Sequence, residues 1–151
     1  MKPVSLNAIV DALEFQSDDI SAFLNLETGE VVTVTTQDEM IARDEAENGP
    51  EWMAEVAELL RDVQESGNYL QLPDAFEIHE YRLIEDFCFE LEDPDVRETM
   101  LRAIKGSGAF RRFKDKAADF EIIESWHSYR TSRLESMAKD WCNANDIPWT
   151  R

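Results

Sequence analysis

Residues that interrupt regular structure are scarce in this sequence, which has only 5 glycines and 5 prolines among 151 residues. This scarcity excludes a collagen-like or low-complexity chain, and 43% hydrophobic residues are typical of a globular fold. No apolar run approaches the length of a membrane span, and the first residues lack the apolar segment of a secretory signal. We therefore expect a cytoplasmic protein with no membrane association.

Cysteine and histidine are also rare, at two residues each. Cys88 and Cys142 lie in separate amphipathic helical patterns without a Cys-x-x-Cys partner, so we predict buried free thiols. His79 and His127 lack the second histidine of a zinc-binding helix, so neither a metal site nor a cofactor is predicted. The common catalytic motifs are missing too, which leaves an enzyme built from scattered residues as the less favoured alternative.

Basic residues are few and unevenly placed. Lysine and arginine number 15 against 33 aspartates and glutamates, a formal net charge of -18. Residues 1–100 hold 5 basic and 26 acidic side chains, whereas residues 101–151 hold 10 and 7. This charge opposes direct binding of nucleic acid and favours a basic protein or a nucleic-acid-binding protein as the partner. It does not indicate an oligomeric state.

Local patterns predict a helix-dominated α+β fold over residues 1–151, a single domain in which a β-hairpin is packed by five or six helices. The hairpin spans residues 21–35, with Gly29 of its turn in the left-handed region. Residues 101–151 form a mildly basic, helical C-terminal third. For Tyr69–Leu72 we favour an extended link over a third strand, because Pro73 restricts the residue before it.

Helix-start signals divide the helical part of the chain. Ser5 and Asp93 are expected to cap helices, and Thr36–Glu39 fits a capping box that opens a short acidic helix. Asp74 is expected to cap a helix of about four turns, whose apolar face runs from Phe76 to Leu91.

A glycine-rich turn beside clustered cations is the leading candidate binding site. Free N–H groups at a helix start attract anions, a serine there can cap the helix, and nearby cations strengthen the attraction. The expected ligand is a phosphorylated small molecule or a nucleotide, with an acidic peptide as an alternative. The candidate residues are Gly106, Ser107, Gly108, Arg111, Arg112 and Lys114.

A purely structural interpretation of the same stretch stays open. In it, Phe110 and Phe113 belong to the core, Gly106 ends the preceding helix, and Arg111 and Arg112 pair with Asp115. A further alternative is that the basic stretch docks onto the acidic surface that precedes it.

A second polar cluster comprises Trp126, His127, Tyr129 and Arg130. Arg130 interrupts an apolar helix face, and an arginine in that position usually meets a carboxylate or lies over an aromatic ring. A structural pair is therefore the favoured interpretation, and substrate binding in a polar cleft is the alternative.

Two parts of the chain carry distinctive residues. The first is Phe23–Val32, and the second is the stretch from Gly106 to Trp149, which includes Phe110–Asp115, Trp126, Tyr129, Arg130, Trp141 and Asn145–Ile147. In both parts the sequence resembles the bacterial uncharacterised protein family UPF0158. This resemblance implies a bacterial cytoplasmic protein and carries over no catalytic or binding residue.

Taken together, these features favour a non-enzymatic interaction or regulatory module. The acidic face from about Asp38 to Asp95 would then engage a basic protein, or would mimic nucleic acid towards a DNA-binding protein.

Overall fold

A computed structural model describes residues 3–15, 17, 19–35 and 51–151. Helices dominate and short strands accompany them, which confirms the helix-dominated α+β class. The chain divides into two compact units. Unit 1 comprises Met1–Ile78 and Glu135–Arg151, and unit 2 comprises His79–Leu134.

Unit 1 combines helices with short strands, and the acidic helix predicted to open at Thr36–Glu39 lies outside the described residues. The final helix of the chain, α7, begins in unit 2 and ends in unit 1. The elements of unit 1 are β1 (Val4–Ser5), α1 (Leu6–Glu14), β2 (Ile20–Asn25), β3 (Val31–Thr35), α2 (Glu51–Glu65), β4 (Tyr69–Gln71), α3 (Ala75–Ile78), the second part of α7 (Ile123–Ala144) and β5 (Trp149–Thr150).

The predicted hairpin is confirmed as β2 and β3, which pair antiparallel. Gly29 in the turn has φ 78°, a conformation that glycine adopts without a side-chain clash. Its backbone N–H donates to the Asn25 carbonyl at 2.8 Å, which closes the turn. Helix α1 packs against β3 and covers the hairpin, as two strands alone are marginally stable.

The prediction of an extended link at Tyr69–Leu72 is wrong, because Tyr69–Gln71 forms the third strand of this sheet. The strand β4 pairs antiparallel with β2, and the Leu72 N–H donates to the Ala22 carbonyl at 2.9 Å. Pro73 follows the last paired residue, so its missing N–H interrupts no ladder bond. The pairing partner lies more than forty residues away and left no local signal.

A second, parallel strand pair joins the two ends of the chain. Val4 in β1 pairs with Trp149 in β5, and the Val4 N–H donates to the Pro148 carbonyl at 2.9 Å. Two-residue strands carry no periodicity, so the sequence did not predict this pair. The most buried apolar side chains described in unit 1 are Val4, Leu6, Ile9, Leu13, Ala22, Leu24, Leu72, Ala138 and Cys142.

Unit 2 is helical. The single helix predicted from Phe76 to Leu91 is wrong, because His79 adopts a left-handed conformation with φ 55° and divides it into α3 and α4. Such a residue cannot continue a right-handed helix. The elements of unit 2 are α4 (Glu80–Phe89), α5 (Pro94–Ala103), α6 (Ala109–Asp119) and the first part of α7.

The helix caps follow the local sequence closely. The Ser5 hydroxyl accepts from the Ala8 N–H at 3.3 Å, and the Asp93 carboxylate accepts from the N–H groups of Asp95 and Val96. Each cap satisfies backbone donors that have no partner inside the helix. Capping of this kind is decided within four residues, which explains why both predictions are confirmed.

Candidate functional site

The predicted anion-binding turn is held together by Arg112. The guanidinium of Arg112 donates to the carbonyls of Ala103 at 2.7 Å, Ser107 at 2.6 Å and Lys105 at 2.5 Å. These carbonyls belong to the end of α5 and the following turn, where helical partners are lacking. Arg112 therefore caps the preceding helix, and the sequence interpretation in which it pairs with Asp115 is not observed among the described residues.

The glycines of the turn make this cap possible. Gly106 and Gly108 have φ 80° and 78°, and a Cβ on Gly108 would lie 3.0 Å from Nη1 of Arg112. Gly108 occupies the N-cap position of α6 without a side-chain hydrogen bond. The expectation that Ser107 caps α6 is therefore wrong. Ser107 instead contributes its carbonyl to Arg112.

The other candidate residues of the turn point to solvent. Arg111 and Lys114 are exposed, and neither forms an ion pair with a described residue. Phe110 is 49% exposed, so its assignment to the core is wrong, whereas Phe113 is 1% exposed and that assignment is confirmed. Arg112 therefore stabilises the turn through its hydrogen bonds, whereas Arg111 and Lys114 are accessible to solvent. Ligand binding at this turn stays a prediction.

The second predicted cluster lies partly in the core of unit 2. Trp126 is 5% exposed and packs edge-on against Phe87 and Phe113, at centroid separations of 5.5 and 5.1 Å. Tyr129 joins the same cluster beside Phe87 at 5.4 Å, whereas His127 is exposed. These contacts are typical of core aromatic packing, so Trp126 serves the fold.

Arg130 meets a carboxylate, as the structural interpretation predicts. Its Nε donates to Oε1 of Glu80 at 2.8 Å, and its Nη2 contacts the same oxygen. Arg133, three residues further on, donates from Nη1 to Asp86 at 3.1 Å and to the Tyr129 hydroxyl at 2.6 Å. Burial raises the pKa of Tyr129, while the hydrogen bond from Arg133 opposes the rise. These bonds join α4 to α7 within unit 2.

One face of α2 carries a continuous row of carboxylates. Acidic residues follow each other at alternating intervals of four and three, which returns each side chain to the same helix face. The four whose exposure is described are all exposed, and none forms an ion pair with a described cation. We call these four carboxylates the acidic stripe: Glu55, Glu58, Asp62 and Glu65.

The acidic stripe is unfavourable for the isolated helix. Like charges three or four residues apart destabilise a helix by about 0.2–0.5 kcal/mol per pair. Asp62 and Glu65 also lie in the last turn, which holds no basic residue, so they face the negative end of the helix dipole. A groove of about 610 Å³ along this face is lined by Glu55, Glu58, Asp62 and Glu65, and also by the cation Arg61.

The two units differ strongly in charge. Counted over the full sequence, unit 1 contains 5 basic and 21 acidic side chains, a net charge of -16. Unit 2 contains 10 basic and 12 acidic side chains, a net charge of -2. Almost all of the excess negative charge therefore belongs to the unit that carries the acidic stripe.

Both cysteines are free and buried, which confirms the prediction made for them. Burial, together with the charge of Glu85, raises the pKa of the Cys88 thiol from 9.0 to about 11. Burial also raises the pKa of Cys142. Neutral, buried thiols are poor nucleophiles, so neither resembles a catalytic cysteine.

The raised pKa of Cys88 predicts a loss of stability in alkali. The unfolded thiol ionises near pH 9, so its stabilising contribution is complete below that pH and is lost as the pH rises towards about 11. Relative to Cys88→Ala, the wild-type protein should lose on the order of 2 kcal/mol of unfolding free energy between pH 8 and pH 10.5. Urea denaturation of both proteins at the two pH values measures this. If the two proteins differ by the same unfolding free energy at pH 8 and at pH 10.5, the prediction is contradicted.

Two absences apply to the described parts of the chain. Over residues 3–15, 17, 19–35 and 51–151, no helix is long and apolar enough to cross a membrane. Across the same residues, no group of three or more His, Cys, Asp or Glu side chains is arranged to hold a metal ion.

Comparison with known proteins gives a consistent family assignment. The model of the uncharacterised protein family UPF0158 matches residues 1–150. The UPF0158 protein PA5073 of Pseudomonas aeruginosa is 27% identical over 151 residues, covering 97% of this chain and 87% of the relative. No solved structure matches the chain.

Proposed function

The chain belongs to the uncharacterised protein family UPF0158, and because that name states no activity, we propose from its surface that it is a non-enzymatic interaction module. Its acidic stripe would bind a protein with a basic surface, including a protein that otherwise binds nucleic acid. The relative from Pseudomonas aeruginosa and the two buried free thiols support a bacterial cytoplasmic location.

The acidic stripe carries this proposal. From Glu55 to Glu65 it extends over about 15 Å of helix, given the rise of 1.5 Å per residue. Its carboxylates repel one another in the free protein, and a partner that supplies lysine or arginine removes that repulsion. The groove along the stripe is lined by four carboxylates and by Arg61, so a basic partner meets an excess of negative charge there.

The polar cluster supports the non-enzymatic part of the proposal. An enzyme built around Trp126–Arg130 requires these side chains to reach a substrate. Instead, the indole of Trp126 is packed among aromatic rings, and the guanidinium of Arg130 is bound by Glu80. The aromatic packing and the ion pair account for these two side chains without a substrate.

Affinity capture from bacterial cytoplasm tests the proposal with two variants of equal net charge. The stripe variant carries Glu55→Gln, Glu58→Gln and Glu65→Gln, and the control variant carries Glu92→Gln, Glu98→Gln and Glu124→Gln. All six carboxylates are exposed. We expect the wild-type and control proteins to capture a basic protein, identified by mass spectrometry, that the stripe variant loses.

The captured partner is then purified and its affinity measured. Losing three well-placed charges should weaken binding at least tenfold for the stripe variant, with a smaller effect at high salt. An equal loss for both variants would indicate attraction by net charge alone and would refute the stripe as a binding surface. Failure of the wild-type protein to bind any basic protein would refute the proposed function.

A further inference from the structure

A groove lies between α5 and α6 in unit 2, whereas the acidic stripe belongs to unit 1. Its volume is about 520 Å³, within the range of small-molecule sites. Five charged side chains line it: Arg102, Arg112, Asp115, Lys116 and Asp119. None of the six residues predicted for the glycine-rich turn contributes to this lining except Arg112.

The end of this groove is fixed in shape. Arg112 is held by three carbonyls from the end of α5 and the turn, and its own helix is α6. The Tyr81 hydroxyl donates to the Ile104 carbonyl at 3.0 Å, which satisfies a fourth carbonyl of the same corner. The connection between α5 and α6 is therefore well determined before any ligand arrives, which lowers the entropic cost of binding.

The remaining charges of the groove form no ion pair with any residue that the structure describes. Arg102, Lys116, Asp115 and Asp119 are all exposed and lie near groups of opposite charge. Even so, within the described part of the chain none of them forms an ion pair. Two cations and two carboxylates are thus available to a ligand in one groove, while Arg112 adds a fixed positive charge.

This arrangement specifies a chemical class. A phosphate monoester carries a charge of about -1.5 to -2 at neutral pH. Two cations therefore match the charge of a phosphate monoester better than they match the single charge of a carboxylate. The carboxylates of Asp115 and Asp119 suit an ammonium group. We propose that the groove between α5 and α6 binds a small phosphate monoester that also carries an ammonium group.

The proposal is independent of the acidic stripe, which lies in unit 1. It also differs from an anion site at the glycine-rich turn, because Arg111 and Lys114 do not line the groove. The ligand is expected to bind weakly, since every charged group that receives it is exposed to solvent.

Titration with four small probes tests the ligand class by amide chemical shifts of the full-length, isotope-labelled protein. O-phosphoethanolamine carries both charged groups, inorganic phosphate and ethanolamine carry one each, and β-alanine replaces the phosphate by a carboxylate. We expect saturable shifts in α5 and α6 with O-phosphoethanolamine, at an affinity at least tenfold higher than for the other three. No saturable shift with O-phosphoethanolamine, or equal affinity for β-alanine, would overturn the proposal.

Variants then assign the binding groups. Combining Arg102→Gln with Lys116→Gln should weaken O-phosphoethanolamine binding at least tenfold, and Asp119→Asn should remove its advantage over inorganic phosphate. The matched control combines Arg111→Gln with Lys114→Gln, which removes two exposed cations outside the groove. Circular dichroism confirms that each variant is folded. Loss of binding in the control, with retention in the groove variant, would place the anion site at the turn and overturn the groove.

Discussion

Replacing Phe113 by alanine is expected to lower the free energy of unfolding by about 3–5 kcal/mol. The ring is 1% exposed and lies edge-on to Phe87 and Trp126, at centroid distances of 6.1 and 5.1 Å. Removing it leaves a cavity at the centre of the aromatic cluster and abolishes two ring contacts. Urea denaturation followed by tryptophan fluorescence measures the change, and Trp126 reports directly on this cluster.

Phe110 provides a matched control from the same helix. It is the same residue type three positions earlier, but it is 49% exposed. We expect Phe110→Ala to change the free energy of unfolding by no more than about 0.5 kcal/mol, as is usual for surface substitutions. Equal losses for the two variants would contradict the assignment of one ring to the core and the other to the surface.

Replacing Arg112 by alanine is expected to destabilise the protein by about 2 kcal/mol. Hydrogen bonds to charged groups contribute about 1.5–3 kcal/mol each when sheltered. The three made by Arg112 are exposed, so their combined effect is smaller than their sum. The variant also leaves carbonyls at the end of α5 to be satisfied by water alone. Thermal and urea denaturation give the loss.

Two further substitutions separate geometry from charge at this corner. Arg112→Lys keeps the positive charge but lacks the planar fork that reaches three carbonyls, so it should recover less than half of the lost stability. Arg111→Ala removes a neighbouring exposed arginine and should cost no more than about 0.5 kcal/mol. Full recovery by lysine would show that Arg112 acts as a simple charge.

The distinction between Arg111 and Arg112 also changes how an anion site must be tested. Reversing both charges together would destabilise the corner whether or not a ligand binds, because Arg112 holds the turn. The charges outside this cap can be altered individually. Arg111 and Lys114 report on the turn, and Arg102 and Lys116 report on the groove.

Features decided by neighbouring residues were predictable from the sequence. The hairpin turn at Gly29 and the caps at Ser5 and Asp93 each depend on contacts within four residues. The family resemblance and the helix-dominated α+β class were predicted from patterns of the same local kind and are confirmed. The burial of both cysteines follows from the amphipathic pattern around them.

Features that depend on distant partners were not predictable from the sequence. β4 exists because β2 supplies its hydrogen bonds from more than forty residues away, and β1 exists because β5 returns to it from the other end of the chain. A helical pattern cannot reveal that His79 adopts the left-handed conformation, since the apolar spacing continues on both sides of it.

The sequence by itself therefore determined the secondary-structure class, several caps, the thiol state and the uneven charge of this protein. Only the tertiary structure decided which of two adjacent arginines caps α5, and which of two phenylalanines three residues apart is buried. The physical reason is that in an isolated helix both arginines and both phenylalanine rings are surrounded by solvent, so the residues of each pair have the same environment. They become different only when α5 and the aromatic cluster of unit 2 pack against one side of α6.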